Sequence, residues 1–152
     1  MINEQMKRLL DVCIALSAER DREALLFRIL DTAMDLANCD GGTLYLLEED
    51  GLHFCRMVTR SLGIRQGGAE APITLPTVPL VQSHICACAV LEENLINIAD
   101  VRADKRFDFS GAAKYDAMTG YNTRSMLVFP LTNDRGKIIG VLQLINAMTA
   151  SG

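Results

Sequence analysis

Apolar and polar residues alternate along this chain in two periods. Ile2, Met6, Leu9, Cys13 and Leu16 recur at helical spacing with Lys7, Arg8 and Asp11 between them, which predicts an amphipathic first helix with a narrow stripe. Ser17 to Asp21 interrupts it, and Asp21 suits the cap of a second helix. There Leu26, Ile29, Leu30, Ala33, Met34 and Ala37 form the wider stripe of a helix that lies on a sheet, ended by Asn38-Cys39-Asp40-Gly41-Gly42. Thr43 to Leu47 and Leu52 to Arg60 then read as strands about the turn Glu48-Glu49-Asp50-Gly51.

Ser61 to Ala71 reads as a glycine-bearing loop, and the prolines of Pro72-Ile73-Thr74-Leu75-Pro76 leave room for only a short strand. Pro79 suits the first turn of a helix extending from about Leu80 to Glu92, and Leu95 to Ile98 is the next strand. Arg102 to Gly120 is irregular, with a short helix capped by Ser110 and ended at Gly120, which can take the left-handed cap. Two apolar runs close the chain, Ser125 to Leu131 and Ile138 to Ile145, joined by the turn Asn133-Asp134-Arg135-Gly136. This hairpin is too apolar to leave a face in water, so the rest of the chain should pack around it. Helices segregated about an antiparallel sheet predict an α+β fold.

The closing hairpin carries a family resemblance. Asp116, Thr119-Gly120-Tyr121, Thr123-Arg124-Ser125, Pro130 and Gly140-Val141-Leu142-Gln143-Leu144-Ile145-Asn146 resemble the closing half of a GAF domain. The likeness is to GAF domains of cyclic-nucleotide phosphodiesterases, adenylyl cyclases and bacterial signalling proteins of the HD-hydrolase and histidine-kinase kind. It covers roughly residues 20 to 147. It implies a central antiparallel sheet, N-terminal helices on one face, and pocket-forming helices and loops on the other. On that reading residues 1–17 are a dimerisation and signalling helix, 18–147 the GAF domain, and 148–152 the start of a connector to an output domain. That output would be a phosphohydrolase, phosphodiesterase or kinase.

Composition narrows the chemistry. Hydrophobic residues make up 49% and charged residues 22%, ordinary values for one globular domain. The net charge of -4 and the scatter of Lys and Arg argue against a nucleic-acid partner. No apolar run reaches membrane-span length, and no signal-peptide pattern opens the chain, so a cytoplasmic protein is expected. Five cysteines, Cys13, Cys39, Cys55, Cys86 and Cys88, stand without a C-x-x-C motif, and His53 and His84 fall in different elements. Free buried thiols are expected, with neither a disulfide framework nor a metal site.

Phosphate-cradling and zinc-protease motifs are missing. His84 and Cys88 would share a helix face, with Cys86 pointing elsewhere, and no third group is evident to orient a base. No catalytic residue is therefore expected. In the GAF fold the helices after the third and fourth strands roof a cavity, so the candidate ligand-binding residues are Asp100, Phe107, Asp108, Tyr115, Thr119, Tyr121, Thr123, Ser125 and His84. Phe107 would stack on a ring while Asp100, Thr119 and Thr123 fix its edges. The pocket is expected between the sheet and the segments Leu80–Glu92 and Arg102–Thr123, lined at least by Phe107, Tyr115 and one of Thr119 or Thr123.

The resemblance implies a regulatory small-molecule sensor that needs no cofactor. Its ligand would be a cyclic nucleotide or another small planar molecule. Cyclic-nucleotide GAF domains share an Asn-Lys pair after the last strand; Asn146 matches the Asn, and Ala147 stands at the Lys position. The alternatives are a pocket-cysteine enzyme such as a free methionine sulfoxide reductase, and a dimerisation module without ligand. A homodimer through the stripe of the first helix is expected in either case.

Overall fold

The computed structural model describes residues 22–67, 73, 75–133 and 135–147. The stripe of residues 2–16, the Asp21 cap, Pro72, Thr74, Asp134 and segment 148–152 lie outside the described residues, as does the side chain of Leu26. In order the elements are α1 (Arg22–Ala37), β1 (Cys39–Glu48), β2 (Gly51–Thr59), β3 (Ile64–Gln66), α2 (Ile85–Glu92), β4 (Ile96–Ile98), α3 (Ser110–Thr119), β5 (Met126–Thr132) and β6 (Ile138–Ala147). The six strands form one antiparallel sheet in the order β3-β2-β1-β6-β5-β4. The architecture is the expected α+β one.

The closing hairpin is apolar throughout because both of its faces are covered. Leu142 and Leu144 of β6 point toward α1, where they meet Leu30, Met34, Leu44, Val58 and Phe129. Val141 and Ile145 point the other way, into a second core with Tyr45, Met126, Val128 and, from α2, Ile85 and Cys88. Strand alternation thus feeds two cores from one sequence run. Full burial of a side chain such as Leu30 or Leu142 contributes about 2 to 3 kcal/mol.

Several boundaries differ from the sequence reading, each for a tertiary reason. Asn38-Cys39-Asp40-Gly41-Gly42 is not a turn. Asn38 alone breaks the helix, at φ 50°, and β1 starts at Cys39 because Cys39 to Leu46 pair with β6. Gly42 is there for space: a Cβ would lie 2.8 Å from Leu30 Cδ1 and 2.9 Å from Met34 Sδ. The loop Ser61–Ala71 contains β3, which pairs Ile64 with Thr59 and Gln66 with Met57. The short strand expected at 72–76 is absent among the described residues. Instead Val78 makes a two-way backbone bridge to Leu52, with N···O distances of 2.8 and 2.9 Å. That bridge holds the chain extended, so the expected helix from Leu80 begins only at Ile85.

The short helix ends at Thr119, as expected, and it begins at Ser110 itself, with Phe109 in the cap position. Gly120 caps it at φ 76° with its N–H on Asp116 O. Beyond it the Thr119–Ser125 run is tied down by a polar clasp. Asp116 accepts from Thr123 N at 2.9 Å and Thr123 Oγ1 at 2.8 Å. Thr119 Oγ1 donates to Tyr115 O and accepts from Tyr121 N. Asn146, at φ 56°, accepts from Arg124 N at 2.7 Å and Ser125 N at 3.2 Å. Its amide donates to Asn122 O and Tyr121 Oη. Tyr121 in turn donates to Asp40 of β1 at 2.7 Å.

Asp40 also accepts from Ser61 N and Oγ. Burial pushes the Asp40 carboxyl up, but the hydrogen bonds from Ser61 and Tyr121 outweigh it and hold the group below its usual value. Tyr121 is pushed well up, by burial and then by the Asp40 charge it donates to, so its hydroxyl remains a donor. Removing the hub should be costly. Asn146→Ala forfeits four hydrogen bonds at a left-handed position, so urea unfolding should show a loss of about 2 to 4 kcal/mol. A loss within error of zero would mean that the clasp does not hold the fold.

Candidate functional site

A cavity of about 420 Å³ lies on the sheet face opposite α1. Its floor is a strip of alternate strand residues: Thr43 and Tyr45 from β1, Met57 and Thr59 from β2, Gln143 and Ile145 from β6. Thr43 and Gln143 are register partners, which sets a hydroxyl and an amide side by side in the floor. One wall is the strap 75–79, anchored by the Leu52–Val78 bridge. The head of α2, from His84 to Cys86, forms the next, and α3 supplies the roof.

The roof leaves space because of its residues. Gly111 and Ala112 are too short to reach the floor, and none of the ten residues of α3 is fully buried. Only Tyr115 spans the gap, its hydroxyl 3.5 Å from Met57 Sδ. The helix is instead held at its two ends. At its start Gly111 N donates to Ser83 O at 2.9 Å. A Cβ on Gly111 would lie 2.6 Å from both that oxygen and His84 Nδ1, so only glycine fits the junction. At its end Asp116 is bound to Thr123 through the clasp. A roof fixed at both ends over small residues is how a fold keeps a cavity open against packing.

The cavity is neutral at its base. Burial raises the hydroxyls of Tyr45 and Tyr115 above their usual value, so both stay protonated donors. The Tyr45 ring packs on Phe54 with centroids 4.8 Å apart. Cys86 lines the cavity, and burial pushes its thiol up to about 11 despite a hydrogen bond from Tyr45 that opposes the rise. Burial, then Glu92 and Asp108, also raise Cys88, whose Sγ donates to Gln82 O. Neither thiol has the thiolate character of a nucleophile. Among the described residues no group of three or more His, Cys, Asp and Glu could hold a metal, and no helix is long and apolar enough to cross a membrane.

Of the nine residues singled out in the sequence, three line the cavity: His84, Tyr115 and Thr123. Phe107 does not. Its ring lies edge-on to Phe109 at 6.4 Å and under the Arg106 guanidinium at 5.2 Å, packed against the second core. Asp100 and Asp108 are local caps, accepting from Arg102 N and Ser110 N, each at 2.9 Å. Thr119 and Tyr121 are consumed by the clasp. Ser125 holds Ala147 N at 3.1 Å and borders a separate groove with Leu36 and Leu127.

The missed residues are those of the floor and the strap. Gln143, a lone amide in the run Gly140 to Ile145, was the available signal for the floor. The strap had none, since Val78 meets Leu52 only in the folded chain.

Comparison with known proteins agrees with this geometry. Residues 21–151 match the family model of the GAF domain. The chain is 30% identical over 145 residues to the dual 3',5'-cyclic-AMP and -GMP phosphodiesterase 11 of Drosophila melanogaster, covering 91% of this chain and 9% of that protein. It is 31% identical over 134 residues to the dual phosphodiesterase 11A of Takifugu rubripes, covering 86% of this chain and 14% of that protein. It therefore spans a small part of the curated relatives it matches. Among solved structures, the GAF domain of an Acinetobacter phosphoenolpyruvate-protein phosphotransferase superposes with a TM-score of 0.57 at 17% identity, over 97% of this chain and 78% of that one. The reduced form of fRMsr from Staphylococcus aureus gives 0.52 at 22% identity, over 99% and 82%. At these identities the two structures speak for the fold alone. Sheet, roofed cavity and family model agree: the chain belongs to the GAF domain family.

Proposed function

We propose that this GAF domain is the regulatory sensor of a larger signalling protein, and that it binds a small planar molecule in the cavity between the sheet and α3. The observation that carries this reading is the cavity itself: about 420 Å³, apolar in most of its wall, with the hydroxyls of Thr43, Thr59 and Thr123 and the Gln143 amide converging on it. Those are the size and chemistry of a small-ligand site. Cyclic nucleotides are the first ligands to test, since the curated relatives are cyclic-AMP and cyclic-GMP phosphodiesterases. Ala147 in place of Lys does not bear on the cavity wall, because Ala147 is exposed at the end of β6 and outside the lining. The attached output would be a phosphodiesterase, another phosphohydrolase or a kinase, in the cytoplasm.

The test is thermal unfolding with cyclic GMP and cyclic AMP. At a hundredfold excess over Kd a bound ligand stabilises by about 2.7 kcal/mol. Ala112→Trp fills the cavity from the roof and should abolish that shift while the domain still unfolds cooperatively. No shift with either nucleotide, or a shift that survives Ala112→Trp, would count against cyclic-nucleotide sensing in this cavity.

The fold shared with fRMsr raises the pocket-cysteine enzyme, which the buried, protonated state of Cys86 disfavours. Replacing Cys86 and Cys88 together by Ala should leave nucleotide binding within about twofold, and the wild type should not reduce free methionine sulfoxide with a thiol reductant. Turnover that disappears in the double variant would reverse this assignment.

A homodimer through the stripe Met6, Leu9, Cys13 and Leu16 completes the proposal; its support is the pattern of the sequence. Sedimentation should show association at micromolar concentration that Leu9→Asp weakens. A monomer unaffected by that substitution refutes it.

A further inference from the structure

Deepening the reading of the cavity as a ligand site, we infer that it selects a small aromatic monoanion, whose negative charge is held at the rim by Lys114. Among the described residues, none that lines the cavity is Asp or Glu, although the chain carries a net charge of -4. Lys114 is the one permanently charged group among the described lining residues, and it stands on α3 at the exposed edge of the roof. Among the described residues its ammonium makes no ion pair or hydrogen bond. The acids nearest it in sequence are engaged elsewhere, Asp116 by Thr123 and Asp108 by Ser110.

The interior supplies the other half of the selection. The Tyr45–Phe54 pair, Met57, Met126 and Ile145 give an apolar bed for a ring. Among the described residues a cation ligand would meet no carboxylate in this bed, and it would meet a like charge at the mouth. An anionic one keeps its charge in partly hydrated space beside Lys114, where a single charge next to low-dielectric walls attracts more strongly than on an open surface.

A pair of dyes that differ in charge tests this without knowledge of the natural ligand. Anilinonaphthalenesulfonate is an aromatic monoanion, and phenylnaphthylamine is its neutral counterpart. Each is titrated by fluorescence into the wild type, Lys114→Gln and Lys114→Arg, and only the binding that Ala112→Trp removes is assigned to the cavity. The anionic dye should bind the wild type more tightly than the neutral one. Lys114→Gln should weaken the anion roughly two- to fivefold and leave the neutral dye unchanged, and Lys114→Arg should restore the preference. Lys114 is exposed, so its variants should fold like the parent. Equal affinity for the two dyes in the wild type, or a preference that persists in Lys114→Gln, overturns the inference. If charge discrimination holds while cyclic GMP fails to bind, cyclic-nucleotide sensing falls and the anion selectivity stands. If neither dye enters the cavity, both fall.

Discussion

The pairing of β1 with β6, the first and last strands along the described chain and the two central ones in the sheet, is the constraint on which the rest of this structure depends. Seven register pairs, from Cys39–Ala147 to Leu46–Gly140, join segments about a hundred residues apart. Such a ladder carries a loop-closure cost that its long-range contacts must offset, and both of its faces are covered. Its α1 face takes Leu44, Leu142 and Leu144 into the core under Leu30 and Met34. The opposite face of the same two strands carries Thr43, Tyr45, Gln143 and Ile145, the middle of the cavity floor. The clasp also spans this ladder, with Asp40 on β1 and Asn146 on β6 joined through Tyr121. One strand pair thus sets the core, the floor of the site and the anchor of the roof.

The two sheet faces are built to opposite ends. On the α1 side large side chains fill the space, and Gly42 is present only because Leu30 and Met34 leave no room for a Cβ. On the other side small residues in α3 withhold volume, and polar contacts at Ser83–Gly111 and Asp116–Thr123 hold the roof where packing does not. A helix without a buried side chain gains little hydrophobic stabilisation of its own. Its position is therefore the part of the fold most open to change by whatever occupies the space beneath it.

The sequence was most legible where local pattern and tertiary demand coincide. The period-3.6 stripe of α1, the hairpin turn after Glu48, the Gly120 cap and the double-faced β5–β6 hairpin all show in the residues because each is determined within a dozen positions. The errors lie where a distant partner decides. Gly41-Gly42 has turn composition, yet it is a strand because β6 is its neighbour. Pro79 has helix-start composition, yet the helix waits for Ile85 because Val78 is bridged to Leu52.

Six of the nine candidate residues lie away from the cavity for a related reason. Phe107, Asp100 and Asp108 have the chemistry of ligand contacts, and local chemistry cannot reveal that each is already occupied as a packing residue or a cap. The run from Thr119 to Ser125 builds the clasp, and for that reason most of its polar side-chain atoms are unavailable to a ligand. Thr123 is the exception in position. It lines the cavity while its hydroxyl binds Asp116 at the end of the roof helix.

That position bears on how occupancy would be read at a distance. A ligand shifts an equilibrium only by its differential affinity for two states. Here the element that can differ is α3, which contacts the cavity through Ala112 and Tyr115 and is fixed at its end by Asp116. The next groups along the chain, Arg124 N and Ser125 N, are held by Asn146, and Ser125 Oγ holds Ala147 N. A displacement of the roof's end is thus two hydrogen-bonded steps from the terminus of β6. Rigid β6 residues such as Leu142 and Leu144 cannot relay it, being locked between α1 and the neighbouring strands. The clasp is the contiguous path that combines contact with the cavity, dependence on polar geometry and an end at Ala147. Coupling through it has a specific signature. Asn146→Ala should separate ligand binding from output, leaving the affinity of the cavity near that of the parent while the response of any attached domain is lost. If affinity and response fall together, the clasp supports the site without transmitting from it.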